Sequence, residues 1–278
     1  MERRKEVGRL DIENPKCKWH KTVYLEDGKL MKTIHDGSFT PVEPEPEMLP
    51  LYFDNLAINS HVGFVSTLET APNFEWSWDR KEWHQWHYTT IDGVHRFDGK
   101  LLYSVGERLF IRGNNPNGLG AIVEGQETPS FTNFVIDGSV SAGGNIMSLL
   151  DKTMELTEVP DYGFMNLFAI IGEDVEPVLL TPPAMDTITS IGDYGCDFMY
   201  SGCTSLTAAA NIPQLTTIGY GGCDSMYSGC TFDMSDDGTT LNFAFPTPPI
   251  TAGETTYDDA YEIAEWMGNT NGFGGDNQ

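Results

Sequence analysis

The feature that most restricts this chain is a repetition. Residues 191–204, Ile-Gly-Asp-Tyr-Gly-Cys-Asp-Phe-Met-Tyr-Ser-Gly-Cys-Thr, return 27 residues later at 218–231 with eleven of the fourteen positions identical. A fixed period in the twenties marks units that bury their apolar edges only against neighbouring copies. An older copy lies 32 residues upstream, where Tyr162, Gly163, Leu167 and Phe168 match Tyr194, Gly195, Met199 and Tyr200. The sequence therefore predicts a stack of like rungs, and a stack offers a long surface for binding. Cys196, Cys203, Cys223 and Cys230 follow the same period. Their spacing is wider than the two to four residues usual between zinc ligands, so equivalent cysteines read as small buried hydrophobes, one above another.

Upstream, residues 51–142 read as an all-β module. Short alternating runs such as Val62-Gly63-Phe64-Val65 and Phe74-Glu75-Trp76-Ser77-Trp78 are punctuated by Gly, Asn, Pro and Asp, a spacing that suits a β-sandwich. Trp76, Trp78, Trp83 and Trp86 cluster here; such aromatics either anchor a partner or fill the core. His84 and His87 fall on opposite faces of a regular strand, which disfavours a shared metal. Residues 41–50 alternate Pro and Glu, and read as an extended, stiff linker spanning up to about 30 Å. Before it, residues 1–40 read as a small anchor: Glu26-Asp27-Gly28-Lys29 between Val23-Tyr24-Leu25 and residues 30–34 is a strong hairpin signal. An isolated hairpin is barely stable in water, so Trp19, Val23, Leu25, Leu30 and Ile34 are expected to dock on an assembly. Residues 143–278 are expected to form the solenoid, closed by one helix over 257–267 with Tyr257, Tyr261, Ala264, and Ile263 with Met267, at three- and four-residue steps.

Charge divides unevenly. Residues 1–40 hold nine of the sixteen Lys and Arg against seven acids, whereas residues 41–278 hold seven against thirty-four. Beyond Asp151 the only basic residue is Lys152. Such a body repels nucleic acid and anionic membrane, because phosphate binding needs cationic side chains. No apolar run approaches the ~20 residues of a membrane span. Five cysteines, an odd number with four in the repeat, argue against a disulfide framework and for a reducing compartment. Residues 233–238 mimic the first half of a calcium loop, but Ala244 stands where a bidentate Glu belongs, so a turn insertion is expected there. No Ser–His–Asp order, phosphate loop or carboxylate pair stands out, and neither enzyme activity, a cofactor nor a metal is expected.

The phrase at 191–207, with Met226-Tyr227-Ser228-Gly229-Cys230-Thr231, resembles the BspA-like class of leucine-rich repeats. The upstream module, through Arg112-Gly113-Asn114-Asn115-Pro116 and residues 141–150, is similar to one often paired with such repeats. These pairs occur in surface proteins of gut Bacteroidetes and in appendage proteins of their phages, so the resemblance implies adhesion or display and supplies no catalytic residues. The first copy departs from the pattern, Ala169-Ile170-Ile171 replacing Ser-Gly-Cys, which predicts a distorted unit.

The expectation is thus a mainly β, multidomain chain: hairpin anchor, sandwich, then a short leucine-rich-repeat solenoid with a C-terminal capping helix. The function expected is that of a phage virion appendage, a fibre or capsid decoration. It would dock on other virion proteins through residues 1–40, form a homo-oligomer, and meet a cell-surface glycan or protein receptor. The alternative is a bacterial cell-surface adhesin; the start of the sequence, with no apolar stretch after Met1-Glu2-Arg3-Arg4-Lys5-Glu6, favours the virion. Candidate contacts are Trp76, Trp78, Trp83, Trp86, Phe198, Tyr200, Tyr220 and Tyr227.

Overall fold

The structure is a computed structural model that describes residues 23–26, 29–33, 39–41, 48–123, 125–171, 178–234 and 240–268. The chain divides into two units, residues 1–48 and residues 49–278. In the first, β1 (Val23–Glu26), β2 (Lys29–Thr33) and β3 (Phe39–Pro41) form an antiparallel sheet in that order. Val23 pairs with Lys32 and Glu26 with Lys29, which places Val23, Leu25 and Leu30 on paired strands. Trp19 and Ile34 lie outside the described residues, as do most of the Pro/Glu linker and most of the calcium-like loop.

The second unit is mainly β. Its first strands are β4 (Tyr52–Asn55), β5 (Ser60–Ser66), β6 (Phe74–Ser77), β7 (His84–Gln85), β8 (Tyr88–Ile91), β9 (Val94–Leu102), β10 (Arg108–Gly113), β11 (Gly120–Ala121), β12 (Ser130–Asp137) and β13 (Ser139–Gly143). After them come β14 (Glu158–Val159), β15 (Val178–Leu179), β16 (Ser190–Ile191), β17 (Thr217–Ile218), β18 (Ile250–Ala252) and β19 (Thr255–Tyr257). One sheet runs β15-β13-β4-β10-β6-β7 and a second β11-β12-β5-β9-β8. Strand alternation turns Phe53, Leu109 and Ile111 of the first inward against Val62, Phe64, Phe134 and Ile136 of the second, all buried. Phe64 stacks on Phe74 with centroids 4.5 Å apart, and Phe134 meets Phe53 at 5.1 Å. The opposite face of β10 carries ion pairs: Arg108 forks onto Asp54 at 2.6 Å, and Arg112 meets Glu75 at 2.6 Å.

The run Arg112-Gly113-Asn114-Asn115 fastens these sheets to the segment that leads into the repeats. Asn115 Nδ2 donates to Leu149 O at 2.8 Å, and its Oδ1 accepts from Asn73 N at 2.8 Å. Gly113 sits so close to Leu149 O and Asn73 O that any side chain there would collide with backbone. The partner is a 3-10 turn, Ile146–Leu149, whose start is held by Asn145 accepting from Met147 N. Ser148 ties it back, its Oγ accepting from Leu51 N and donating to Ile111 O.

Beyond the turn, β14, β16, β17 and β18 pair in parallel in chain order, with β19 antiparallel at the edge. Strands of two or three residues cannot hold a sheet alone; the segments after them supply the rest. The core is continuous from Leu51 to Met267, with no break at residue 142. The single α-helix among the described residues is α1 (Ala260–Trp266), capped by Asp259, whose carboxylate accepts from Glu262 N. The helix expected over 257–267 is therefore shorter. Tyr257 pairs with Ile250 in the sheet, and Tyr261 is exposed, because the buried stripe is Ala260, Ile263, Ala264 and Met267.

Candidate functional site

The three repeat copies lie one over another, and their hydrogen bonds show how. After each short strand the chain winds in consecutive turns in which bonding alternates. Every second N–H points back within its own copy, as Asp197 N to Tyr194 O and Met199 N to Cys196 O. The others reach the next copy: Tyr162, Phe164, Asn166, Phe168 and Ile170 donate to the carbonyls of Asp193, Gly195, Asp197, Met199 and Ser201 at 2.6–3.0 Å. Tyr194, Cys196, Phe198, Tyr200 and Gly202 repeat this onto Tyr220, Gly222, Asp224, Met226 and Ser228. At the far end Ser225 and Tyr227 donate to Trp266 and Met267, so the end of α1 occupies the place of a further copy. The winding needs a left-handed residue every fourth position: Tyr194, Phe198, Gly202, and then Gly221, Ser225, Gly229. The first copy obeys the rule at Tyr162 and Asn166 and keeps the ladder through Ile170, but Ile170, standing where Gly202 and Gly229 are left-handed, is not, so the departure expected from Ala169-Ile170-Ile171 falls in its last turn.

Two columns of rings result. Phe134, Phe168, Tyr200 and Tyr227 stack through the interior at 4.9, 5.3 and 5.4 Å, their planes nearly parallel, joining β12 to the repeats. On the outside, Tyr162 and Tyr194 stack at 5.4 Å and Tyr220 meets Tyr194 edge-on at 5.5 Å. Tyr220 is 55% exposed. The row is positioned by the aspartates that precede Tyr162 and Tyr194. Asp161 Oδ1 accepts from Asp193 N at 2.8 Å, and Asp193 Oδ1 accepts from Tyr220 N at 2.7 Å. Gly192 and Gly219 stand against these same oxygens, where a Cβ would strike them.

Past Tyr220 the surface opens into a cavity of about 350 Å³ lined by Asp224, Glu262 and Glu265 together with Thr255, Tyr257 and Trp266. Tyr257 stacks on Trp266 at 4.6 Å. Behind Asp224 lies Asp197, 5% exposed, with Oδ1 enclosed and without a hydrogen-bond partner. Burial, and then the neighbouring charge of Asp224, push its carboxyl up to about 7. The charge of Asp197 is felt by Tyr162 and Tyr194, whose phenols are raised first by burial.

The structure separates the candidate contacts. Tyr200, Tyr227 and Trp86 are corrections: all three are at most 1% exposed and offer no contact surface. Tyr200 and Tyr227 belong to the inner column, and the indole N–H of Trp86 donates to Asp98 O at 2.7 Å. Trp78, Phe198 and Tyr220 are exposed, and Trp76 and Trp83 half-buried. Trp83 underlies Arg112 at 3.9 Å, and Trp76 carries Lys100 Nζ at 4.6 Å. Sequence reasoning missed Tyr162 and Tyr194, although both sit at the matching position of successive copies. It also missed Trp266 and the acids around it, which come together only across α1 and β19. Cys196, Cys203, Cys223 and Cys230 are buried thiols; the Cys203 and Cys230 thiols donate to Phe168 O and Tyr200 O. Among the described residues, no group of three or more His, Cys, Asp and Glu is placed to hold a metal ion, and no helix is long and apolar enough to cross a membrane. No family model, curated protein or solved structure matches this chain.

Proposed function

We propose that this chain is a non-enzymatic display protein, an appendage of a phage particle that docks through residues 1–40 and presents its repeat stack to a host surface. The observation that supports it best is the outer row of Tyr162, Tyr194 and Tyr220, fixed on copies that hydrogen-bond to one another along their length. Rigid aromatic groups held at regular intervals cost little ordering entropy when a partner binds, which favours recognition. In this reading the repeats are a short leucine-rich-repeat solenoid of the BspA-like kind and α1 is its cap. Residues 1–40, with nine of the sixteen basic residues, are the part suited to an acidic partner in the particle. Deleting residues 1–40 is expected to abolish incorporation into the particle while the thermal unfolding of residues 49–278 stays unchanged. Normal incorporation of the shortened chain would overturn the docking role.

A further inference from the structure

The outer tyrosine row and the cavity beside it share one chemistry. Tyr162 and Tyr194 each cover one face of the other, while Tyr220 is 55% exposed, and the charged side chains of residues 153–278 are all acids, because this segment contains neither Lys nor Arg. Asp197 adds a second observation: a carboxyl 95% buried, with one oxygen unpartnered, lying behind Asp224 and bearing electrostatically on Tyr162 and Tyr194. We propose that this surface takes an arginine-bearing extended segment of a partner protein, a guanidinium group resting on the exposed Tyr220 ring and reaching the carboxylates of Asp224 and Glu265.

The proposal rests on the display reading and names the partner's chemistry. Guanidinium is the cation that fits, being planar, weakly hydrated and able to stack on a ring while forking onto a carboxylate. The chain already uses that arrangement twice within itself. Arg108 lies 3.8 Å over Tyr52 while held by Asp54, and Arg112 lies 3.9 Å over Trp83 while held by Glu75. On the tyrosine row the ring and the acid are present and the arginine is not. A neutral sugar would gain from the rings but nothing from the acids, and an ammonium would gain from the acids with poorer stacking.

The test uses the full chain with three probes: hexa-arginine, hexa-lysine and a neutral oligosaccharide. Binding is measured by calorimetry, and the Asp197 carboxyl carbon is followed by NMR. Hexa-arginine is expected to bind several-fold more tightly than hexa-lysine. Tyr220→Ala and Glu265→Gln, both at exposed positions, should each weaken it by roughly five- to tenfold, whereas Asp137→Asn on β12 should not. Bound guanidinium should also lower the Asp197 titration midpoint, which attraction to a distant part of an acidic protein would leave in place. Equal binding of both peptides, equal loss from Asp137→Asn and Glu265→Gln, an unmoved Asp197 midpoint, or binding of the oligosaccharide in place of the peptide would each overturn the proposal. None of these outcomes bears on incorporation of the chain lacking residues 1–40, so the two ideas fail separately.

Discussion

At Gly192 and Gly219 a single methyl group decides whether adjacent copies can join. Each glycine makes room for the aspartate oxygen that accepts the N–H one residue further along. Gly219→Ala is expected to cost about 1–3 kcal/mol, the range for forcing an atom into a packed site. Denaturant unfolding would check it, and adding Asp193→Ala should recover little of the loss, because the backbone at Asp193 N and Gly192 crowds the same methyl. Asp197 makes a pH-dependent contribution of known sign. Folded, its carboxyl holds a proton up to about 7, because burial and Asp224 oppose ionisation; unfolded, it releases that proton near 3.8. The stability associated with this group is fully present below pH 4, declines as pH rises to about 7, and is flat above. Asp197→Asn should remove that slope from a plot of melting temperature against pH.

At the level of elements, the inner ring column shows that equivalent positions need not be equal in energy. Tyr227 Oη accepts from the buried Ala210 N at 2.9 Å, whereas the Tyr200 hydroxyl meets only the sulfur of Met185 at 4.0 Å. Tyr227→Phe leaves a buried donor unpaired and should cost about 1–3 kcal/mol; Tyr200→Phe should cost less than about 1 kcal/mol, since thioether sulfur is a weak acceptor. Comparing the two in denaturant tests the assignment, and Phe168 already shows that the column accepts Phe. The cysteine column belongs to the same scale. Burial raises all four thiols, Cys230 to about 12, so a thiol-alkylating reagent at pH 8 should leave them unmodified until the chain is unfolded. Their period was legible in the sequence. The winding they belong to was not, because its left-handed positions carry Tyr, Phe and Ser as well as Gly, and only glycine advertises that conformation.

Over the whole molecule, charge and core oppose one another. A net charge of −25 repels itself across the folded body, and salt screens charges separated by more than about 10 Å at 0.1 M. Raising sodium chloride from 10 mM to 0.5 M is therefore expected to raise the melting temperature; a fall would mean that pairs such as Arg108–Asp54 and Arg112–Glu75 outweigh the repulsion. Against that repulsion stands one core running from Phe53 and Phe134 through Phe168 and Tyr200 to Trp266 and Met267. A boundary drawn at residue 142 follows the change in sequence pattern, not a gap in packing. Phe168 stacks on Phe134 of β12 as closely as it stacks on Tyr200 of the next copy.

The sequence by itself determined the period of the repeats, the mainly β character and the position of the acidic half, because these depend on spacing and composition along the chain. It could not determine which face of a copy a ring would occupy. Tyr200 and Tyr220 look alike in sequence, and only the winding turns one into the core and leaves the other in solvent. The cavity beside Asp224 belongs wholly to tertiary structure, since its walls come from a repeat, an edge strand and a helix that meet only when the last copy is covered.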